Sequence, residues 1–227
     1  SNFLRKVFKR LTTSKSRPSY FLCPPQLTSL ETRINPTPIT VNTLQDTSAT
    51  DAFISLREAI DLANINSGAD TIVFASSLFT NGPATISLTG VLPAIADATS
   101  AGTLTITGPG ANTLNISGNN GNFSVFSVAS LGDLTISGVT VSGANNSGFG
   151  GAFNNLGSLF ISASTITGNS ATGGGGIFNQ GTALTIFDST ISGNSTSGFG
   201  GGINNFNGGT ISVSNSTISN NSATNGG

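Results

Sequence analysis

The ionisable side chains decide which chemistry this sequence can support. After Asp70 only three of them occur, Asp97, Asp133 and Asp188, and the 227-residue chain contains no histidine. Polysaccharide lyases and hydrolases need clustered carboxylates for calcium binding or general acid-base work, and lyases also need a lysine or arginine. These aspartates are far apart in sequence, and no lysine or arginine follows Arg57. We interpret them as solvated turn or strand aspartates and predict no catalytic residue, no metal site and no cofactor.

The composition favours a charge-poor β protein. Only 7% of the residues are charged, against about a quarter in most soluble domains. Threonine, serine, isoleucine and valine are abundant, and β-branched side chains fit a pleated sheet. Six of the eight basic residues precede Pro18 and the formal net charge is -1, so no nucleic-acid partner is expected. Cys23 is the only cysteine, so no intramolecular disulfide can form, and no apolar run is long enough for a transmembrane helix.

Residues 1–38 differ from the rest of the chain. A basic start leads into a proline-rich stretch from Pro18 to Pro38, without the apolar core of a conventional secretory signal. Two interpretations stay open: a leader and linker that we expect to be disordered, and a short amphipathic helix at a membrane surface. The apolar face of this helix would consist of Phe3, Leu4, Val7, Phe8 and Leu11.

The second half of the chain is an internal repeat. GGAFNN, GGIFNQ and GGINNF begin at Gly150, Gly175 and Gly201, at spacings of 25 and 26 residues. Each is followed by an apolar alternating segment (LFIS, LTIF, ISVS) and then by TITGNS, TISGNS or TISNNS. A unit of this length with three short strands and no helix is typical of one coil of a parallel β-helix.

The repeat predicts an all-β fold, a right-handed parallel β-helix with a short N-terminal capping helix. We assign residues 39–83 to an N-terminal strand and cap-helix region and residues 84–227 to the coils. The inward side chains are expected to be Leu159, Ile161, Leu184, Ile186, Ile211 and Val213. Gly226 and Gly227 fall where the next glycine-rich unit would begin, so we expect the coils to be truncated at the C-terminal end.

Asparagines recur at the repeat period. A primary amide donates and accepts, so stacked asparagines can form a hydrogen-bonded ladder from coil to coil, and asparagine tolerates the left-handed backbone of corners. The alternative is that these amides line a ligand groove. The two predicted columns are Asn154, Asn179 and Asn205, and Asn169, Asn194 and Asn221.

A capping box precedes the repeats. Ser55 is followed three residues later by Glu58, a spacing at which serine caps a helix beginning at Leu56 and the glutamate bonds back to the cap. The predicted helix would cover the open end of the first coil with one apolar stripe, formed by Leu56, Ala59, Ile60 and Ala63.

Several motifs resemble a known family. SLREAI at Ser55–Ile60, the Ala63–Asn64 pair and GADTIVF at Gly68–Phe74 resemble the N-terminal region of bacterial secreted right-handed β-helix proteins named for a CSLREA motif. The GGGI-type repeats are similar to those of polymorphic outer-membrane and autotransporter-like adhesins, and the resemblance extends over residues 39–227. Ile54 stands where the family often has cysteine. The resemblance implies an exported, surface-associated protein of pectate-lyase-like fold, and transfers no residue-level function.

The predicted function is a non-catalytic extracellular or cell-surface module, either a structural stalk or an adhesin shaft. The alternative is the scaffold part of a polysaccharide lyase or hydrolase whose catalytic coils lie outside this chain. Surface glycans or other cell-envelope proteins are the expected partners, and the open C-terminal edge is expected to allow self-association. Outward aromatic side chains would either bind such partners or pack on loops; they are Phe149, Phe160, Phe187 and Phe199.

Overall fold

The computed structural model describes residues 38–49, 51–66, 68–96 and 102–225. Strands dominate, with one α-helix, α1 (Leu56–Ile65), and one 3₁₀ turn (Ser76–Phe79) in the described ranges. Every strand pairing is parallel. The predicted all-β parallel solenoid is therefore confirmed, while our predictions for residues 1–37 concern a part of the chain outside the described residues.

Four sheets run along the solenoid. Sheet A contains β1 (Ile39–Val41), β2 (Asp70–Phe74), β4 (Leu104–Thr107), β7 (Asp133–Ser137), β10 (Ser158–Ser162), β14 (Ala183–Phe187) and β18 (Thr210–Ser214). Sheet B contains β3 (Ala84–Ser87), β5 (Leu114–Ser117), β8 (Thr140–Ser142), β11 (Thr165–Thr167), β15 (Thr190–Ser192) and β19 (Thr217–Ser219). Sheet C contains β6 (Phe126–Val128), β9 (Phe153–Asn155), β13 (Ile177–Asn179) and β17 (Ile203–Asn205). Sheet D contains β12 (Ser170–Ala171), β16 (Ser195–Phe199) and β20 (Ser222–Asn225).

A coil in the second half carries four strands rather than the predicted three. The chain passes from sheet A through B and D to C, as in β10, β11, β12 and β13. The strands of sheet D begin at the last serine of the TITGNS-type segments. Strand β12 has only two residues, too few for an alternating pattern to be visible in the sequence.

The strand ladder also begins earlier than predicted. Sheet A runs back from β4 through β2 to β1, so solenoid pairing starts before residue 84. The chain between β1 and β2 forms α1 instead of further strands. Because α1 interrupts the strand pattern, the sequence did not show that β1 and β2 already belong to sheet A.

The core is a set of aliphatic columns inside the coils. Leu134, Leu159 and Leu184 lie in register on β7, β10 and β14 and are at most 2% exposed. On sheet C the Phe126 and Phe153 rings stack at 5.3 Å between centroids. Each fully buried side chain of this size contributes about 1.5–3 kcal/mol relative to an exposed one.

Helix α1 closes the N-terminal side of this core. Its N-cap Ser55 accepts from the Glu58 backbone N–H, and the Glu58 carboxylate accepts from the Ser55 N–H, so both halves of the capping box are present. The helix packs against β1 and β2. Its buried side chains are Leu56, Ala59, Ile60 and Ala63, the four residues of the predicted stripe.

Candidate functional surfaces

One asparagine column lies between sheets B and D. Asn169 Nδ2 donates to Asn194 Oδ1 at 3.0 Å, and Asn194 Nδ2 donates to Asn221 Oδ1 at 3.0 Å. Each acceptor oxygen also receives the backbone N–H of the preceding asparagine at 3.0 Å. Asn169 and Asn194 are at most 1% exposed, so these amides face one another and line no ligand groove.

The left-handed corner is one residue earlier than we predicted. None of the column asparagines has a positive φ; the positive values belong to Gly168 (+62°), Gly193 (+64°) and Asn220 (+53°), immediately before them. The column asparagines are therefore explained by hydrogen bonding and burial, and the conformational argument applies to their neighbours.

The second column corrects a predicted residue. Asn155, not Asn154, is in register with Asn179 and Asn205, and Nδ2-to-Oδ1 bonds of 2.6 and 2.7 Å join the three side chains. The sequence alignment matched Gly150–Gly151 to Gly175–Gly176 and was wrong by one residue. The second repeat has two more glycines directly before Gly175, so the glycines alone do not define the alignment.

Asn154 instead occupies the outward position beside Phe178. Its Oδ1 is buried and has no hydrogen-bond partner among the described residues. The strand alternation explains this placement, because a shift of one residue turns a side chain to the opposite face of the sheet.

A serine column was missed by the sequence analysis. The Ser164 hydroxyl accepts from the Val139 N–H, Ser189 from the Ser164 N–H, and Ser216 from the Ser189 N–H, at 3.1–3.3 Å. Each hydroxyl also donates to the carbonyl two residues before it. A serine stands directly before each Thr-Ile pair at the repeat period, and this pattern could have predicted the column. The serine column and the two asparagine columns join successive coils through side chains.

An ion pair that the sequence did not reveal fixes the N-terminal cap. Arg57, the last cation of the sequence, makes two 2.8 Å bonds to the Asp46 carboxylate and donates to the carbonyls of Gly90 and Val91. Asp46 Oδ2 also accepts from the N–H and hydroxyl of Thr89. Burial raises the pKa of Asp46, but the Arg57 and Thr89 bonds outweigh it, so the pKa is lowered from the ordinary 3.8.

The aspartates considered as acid-base candidates occupy separate environments. Asp133 accepts a hydrogen bond from the Thr103 hydroxyl at 2.9 Å and lines a cavity of about 20 Å³ together with Asp70, a volume suited to one water molecule. Asp188 lies at an exposed corner with φ of +47°, and Asp97 lies outside the described residues. Within the described ranges, no three or more histidine, cysteine or acidic side chains come together as a metal site.

Aromatic side chains form an exposed strip on the C-terminal coils. Phe149 stacks on Phe178 at 4.5 Å, and Phe178 stacks on Phe206 at 6.0 Å. The central ring is 4% exposed, whereas Phe149 and Phe206 are each more than half exposed. These three residues are the aromatic strip. Phe160, Phe187 and Phe199 are also exposed, so part of the aromatic surface packs on itself and part faces solvent.

Comparisons with known proteins gave no further guide. No family model, curated protein or solved structure matches this chain. Among the described helices, none is long and apolar enough to cross a membrane.

Proposed function

We propose that this chain is the non-catalytic shaft of an exported cell-surface protein, a rigid spacer that holds other parts of the surface machinery at a distance. The observation that carries the proposal is the set of side-chain columns joining successive coils. Asparagine and serine side chains that could otherwise contact a ligand bond to the next coil, with the inner ladder amides at 2.6–3.0 Å. A structure stabilised mainly between neighbouring coils can be extended or shortened one coil at a time.

The motif order described above supports export and a bacterial cell-surface location, because SLREAI, GADTIVF and the GGGI-type repeats occur in that order in the family that this sequence resembles. The scaffold part of a polysaccharide lyase or hydrolase is the competing proposal. It requires catalytic carboxylates from coils beyond this sequence.

Deleting one coil tests the shaft. Ser164 and Ser189 occupy equivalent positions 25 residues apart, and Thr165 is in register with Thr190. Removing residues 165–189 joins two equivalent corners. In the background of Ser212→Lys with Ser214→Lys, which should suppress association through the last coil, we expect a folded protein shortened by about 4.8 Å, one inter-strand spacing. Small-angle scattering measures the length and circular dichroism checks the fold.

The matched control removes residues 160–183, one residue fewer, and places the junction inside β10 rather than at a corner. Side chains on one side of that junction are shifted by one position within the strand, which would place apolar side chains outward, so we expect a large loss of stability. Equal disruption by both deletions would contradict a modular shaft. Release of reducing sugar from pectin or alginate by the intact chain, abolished by Asp133→Ala or Asp188→Ala, would contradict a non-catalytic role for this chain.

The aromatic strip favours a second role as an adhesin that contacts surface glycans or envelope proteins. Exposed aromatic rings offer apolar area and a negative π face to the C–H groups of a sugar. A glycan array tests this adhesin role with two variants. Phe206→Ser removes one exposed ring of the strip and leaves the Phe149–Phe178 stack. Phe187→Ser on sheet A is the control.

A further inference from the structure

Sheet B carries two straight ranks of hydroxyl side chains. On β8, β11, β15 and β19 the first outward position is always threonine and the second is serine or threonine, and the strands are in exact register. These eight residues are the hydroxyl grid: Thr140, Thr165, Thr190 and Thr217 in one rank, and Ser142, Thr167, Ser192 and Ser219 in the other. Between the ranks, Val141, Ile166 and Ile191 are fully buried, whereas Ile218 on β19 is 49% exposed.

Short corners border most of the grid, and one loop reaches over its N-terminal end. Single residues with positive φ turn the chain on each side: Ala163 and Asp188 before β11 and β15, and Gly143, Gly168 and Gly193 after β8, β11 and β15. At the N-terminal end the Thr140 hydroxyl donates to the Ala111 carbonyl at 2.7 Å and the Ser142 hydroxyl donates to Asn115 Oδ1 at 2.8 Å. A groove of about 360 Å³ lies there and is lined in part by Thr140, Ser142 and Thr167, so the hydroxyls of β11, β15 and β19 form the open part of the grid.

The other outward faces lack this regularity. On sheet A, Phe160 and Phe187 project from neighbouring coils. On sheet C the outward ring of Phe178 is covered by Phe149 and Phe206. Among the described sheets, only B repeats the same neutral polar group over four coils.

A two-dimensional grid fits a partner that has a two-dimensional repeat of its own. Hydroxyls recur about every 4.8 Å from coil to coil and about every 6.6 Å along a strand, two residues apart. A face of ice presents a two-dimensional array of oxygens, and a hydroxyl can both donate to and accept from such oxygens. A single glycan chain or a protein surface lacks such a lattice.

The neutral charge and the rigidity of the grid are suited to binding an ordered lattice of water. The grid itself carries no ionisable side chain, and Asp188 at its border is the nearest one in sequence. The serine column on one side and the Asn169–Asn221 column on the other fix successive strands. A fixed surface loses little conformational freedom when it binds. The geometry points to the hydroxyl grid as an ice-binding surface.

The 227-residue chain can be tested with two matched lysine variants. Thr190→Lys places a long charged side chain in the grid, and Thr185→Lys places the same side chain at an outward, half-buried threonine of sheet A in the same coil. We expect the wild type and Thr185→Lys to lower the freezing point below the melting point and to shape ice crystals. Thr190→Lys should lose both effects while retaining its circular dichroism spectrum and melting temperature.

A second type of variant removes a hydroxyl group without adding bulk. Thr165→Val keeps the shape and deletes one hydroxyl, and a partial loss of ice activity is expected. A folded wild type that leaves ice growth unchanged, or equal losses from both lysine variants, would overturn the proposal. Thr190-dependent retention on microcrystalline cellulose or chitin without an effect on ice would assign the grid to a crystalline polysaccharide. Each of these outcomes leaves the coil-deletion test of the shaft unaffected.

Discussion

Substituting Asn194 by alanine tests whether the side-chain columns hold the solenoid together. Asn194 is fully buried. Its Oδ1 accepts from the N–H and the Nδ2 of Asn169, and its Nδ2 donates to the carbonyls of Ile166 and Ser192 and to Asn221 Oδ1. Alanine removes these five contacts and leaves the Asn169 N–H buried without its acceptor, whereas Asn169 Nδ2 keeps two backbone carbonyls as acceptors.

The expected cost follows from those groups. The unsatisfied Asn169 N–H costs about 1–3 kcal/mol, and the loss of the two hydrogens that the Asn194 amide donates costs about 1 kcal/mol each. We expect the free energy of unfolding to fall by about 3–5 kcal/mol. For a chain of this size that is a drop of about 10 °C in melting temperature, measured by far-ultraviolet circular dichroism and checked by urea unfolding.

Two further variants sharpen this test. Asn145→Ala alters an exposed asparagine that belongs to neither column, and the change should stay within about 0.5 kcal/mol. Asn194→Asp keeps the acceptor oxygens but loses the amide donors; burial raises the pKa of such a carboxyl, so its deficit should shrink on mild acidification, when the protonated acid can donate. Melting of Asn194→Ala together with the wild type would refute the assignment of stability to the column.

Three other predictions concern the two ends of the solenoid. Leu56→Asp places a charge in the buried stripe of α1 and should destabilise the protein by several times the roughly 1 kcal/mol expected for Ser55→Ala; equal melting temperatures would argue against an end cap. Because the folded-state pKa of Asp46 is lowered, its ion pair with Arg57 contributes stability that is fully present above the ordinary value of 3.8 and is lost as the pH falls below it; Asp46→Asn should remove this acid-dependent loss in pH-dependent unfolding curves. The last coil exposes Val213 and Ile218 by 41% and 49%, so the 227-residue chain should self-associate in sedimentation, and Ser212→Lys with Ser214→Lys should suppress the association by charging the edge; a strictly monomeric wild type at high concentration would contradict this.

The sequence alone predicts the solenoid, because a parallel β-helix repeats its local pattern. Inward positions such as Leu159 and Leu184 recur at the coil period, and alternation assigns them to the core. The capping box at Ser55 is equally local, since its two bonds join residues three apart. Features that depend on a short spacing or on a fixed period can be recognised in the sequence alone.

The tertiary structure decided what depends on exact register. One additional residue moves a side chain to the other face of a strand, and only the paired strands show that Asn155, rather than Asn154, belongs to the inner column. Asp46 and Arg57 are eleven residues apart and meet only because α1 folds back over the first coil. The open part of the hydroxyl grid likewise depends on where the corners turn and on how far the loop before β5 reaches over sheet B, and these are properties of the assembled coils.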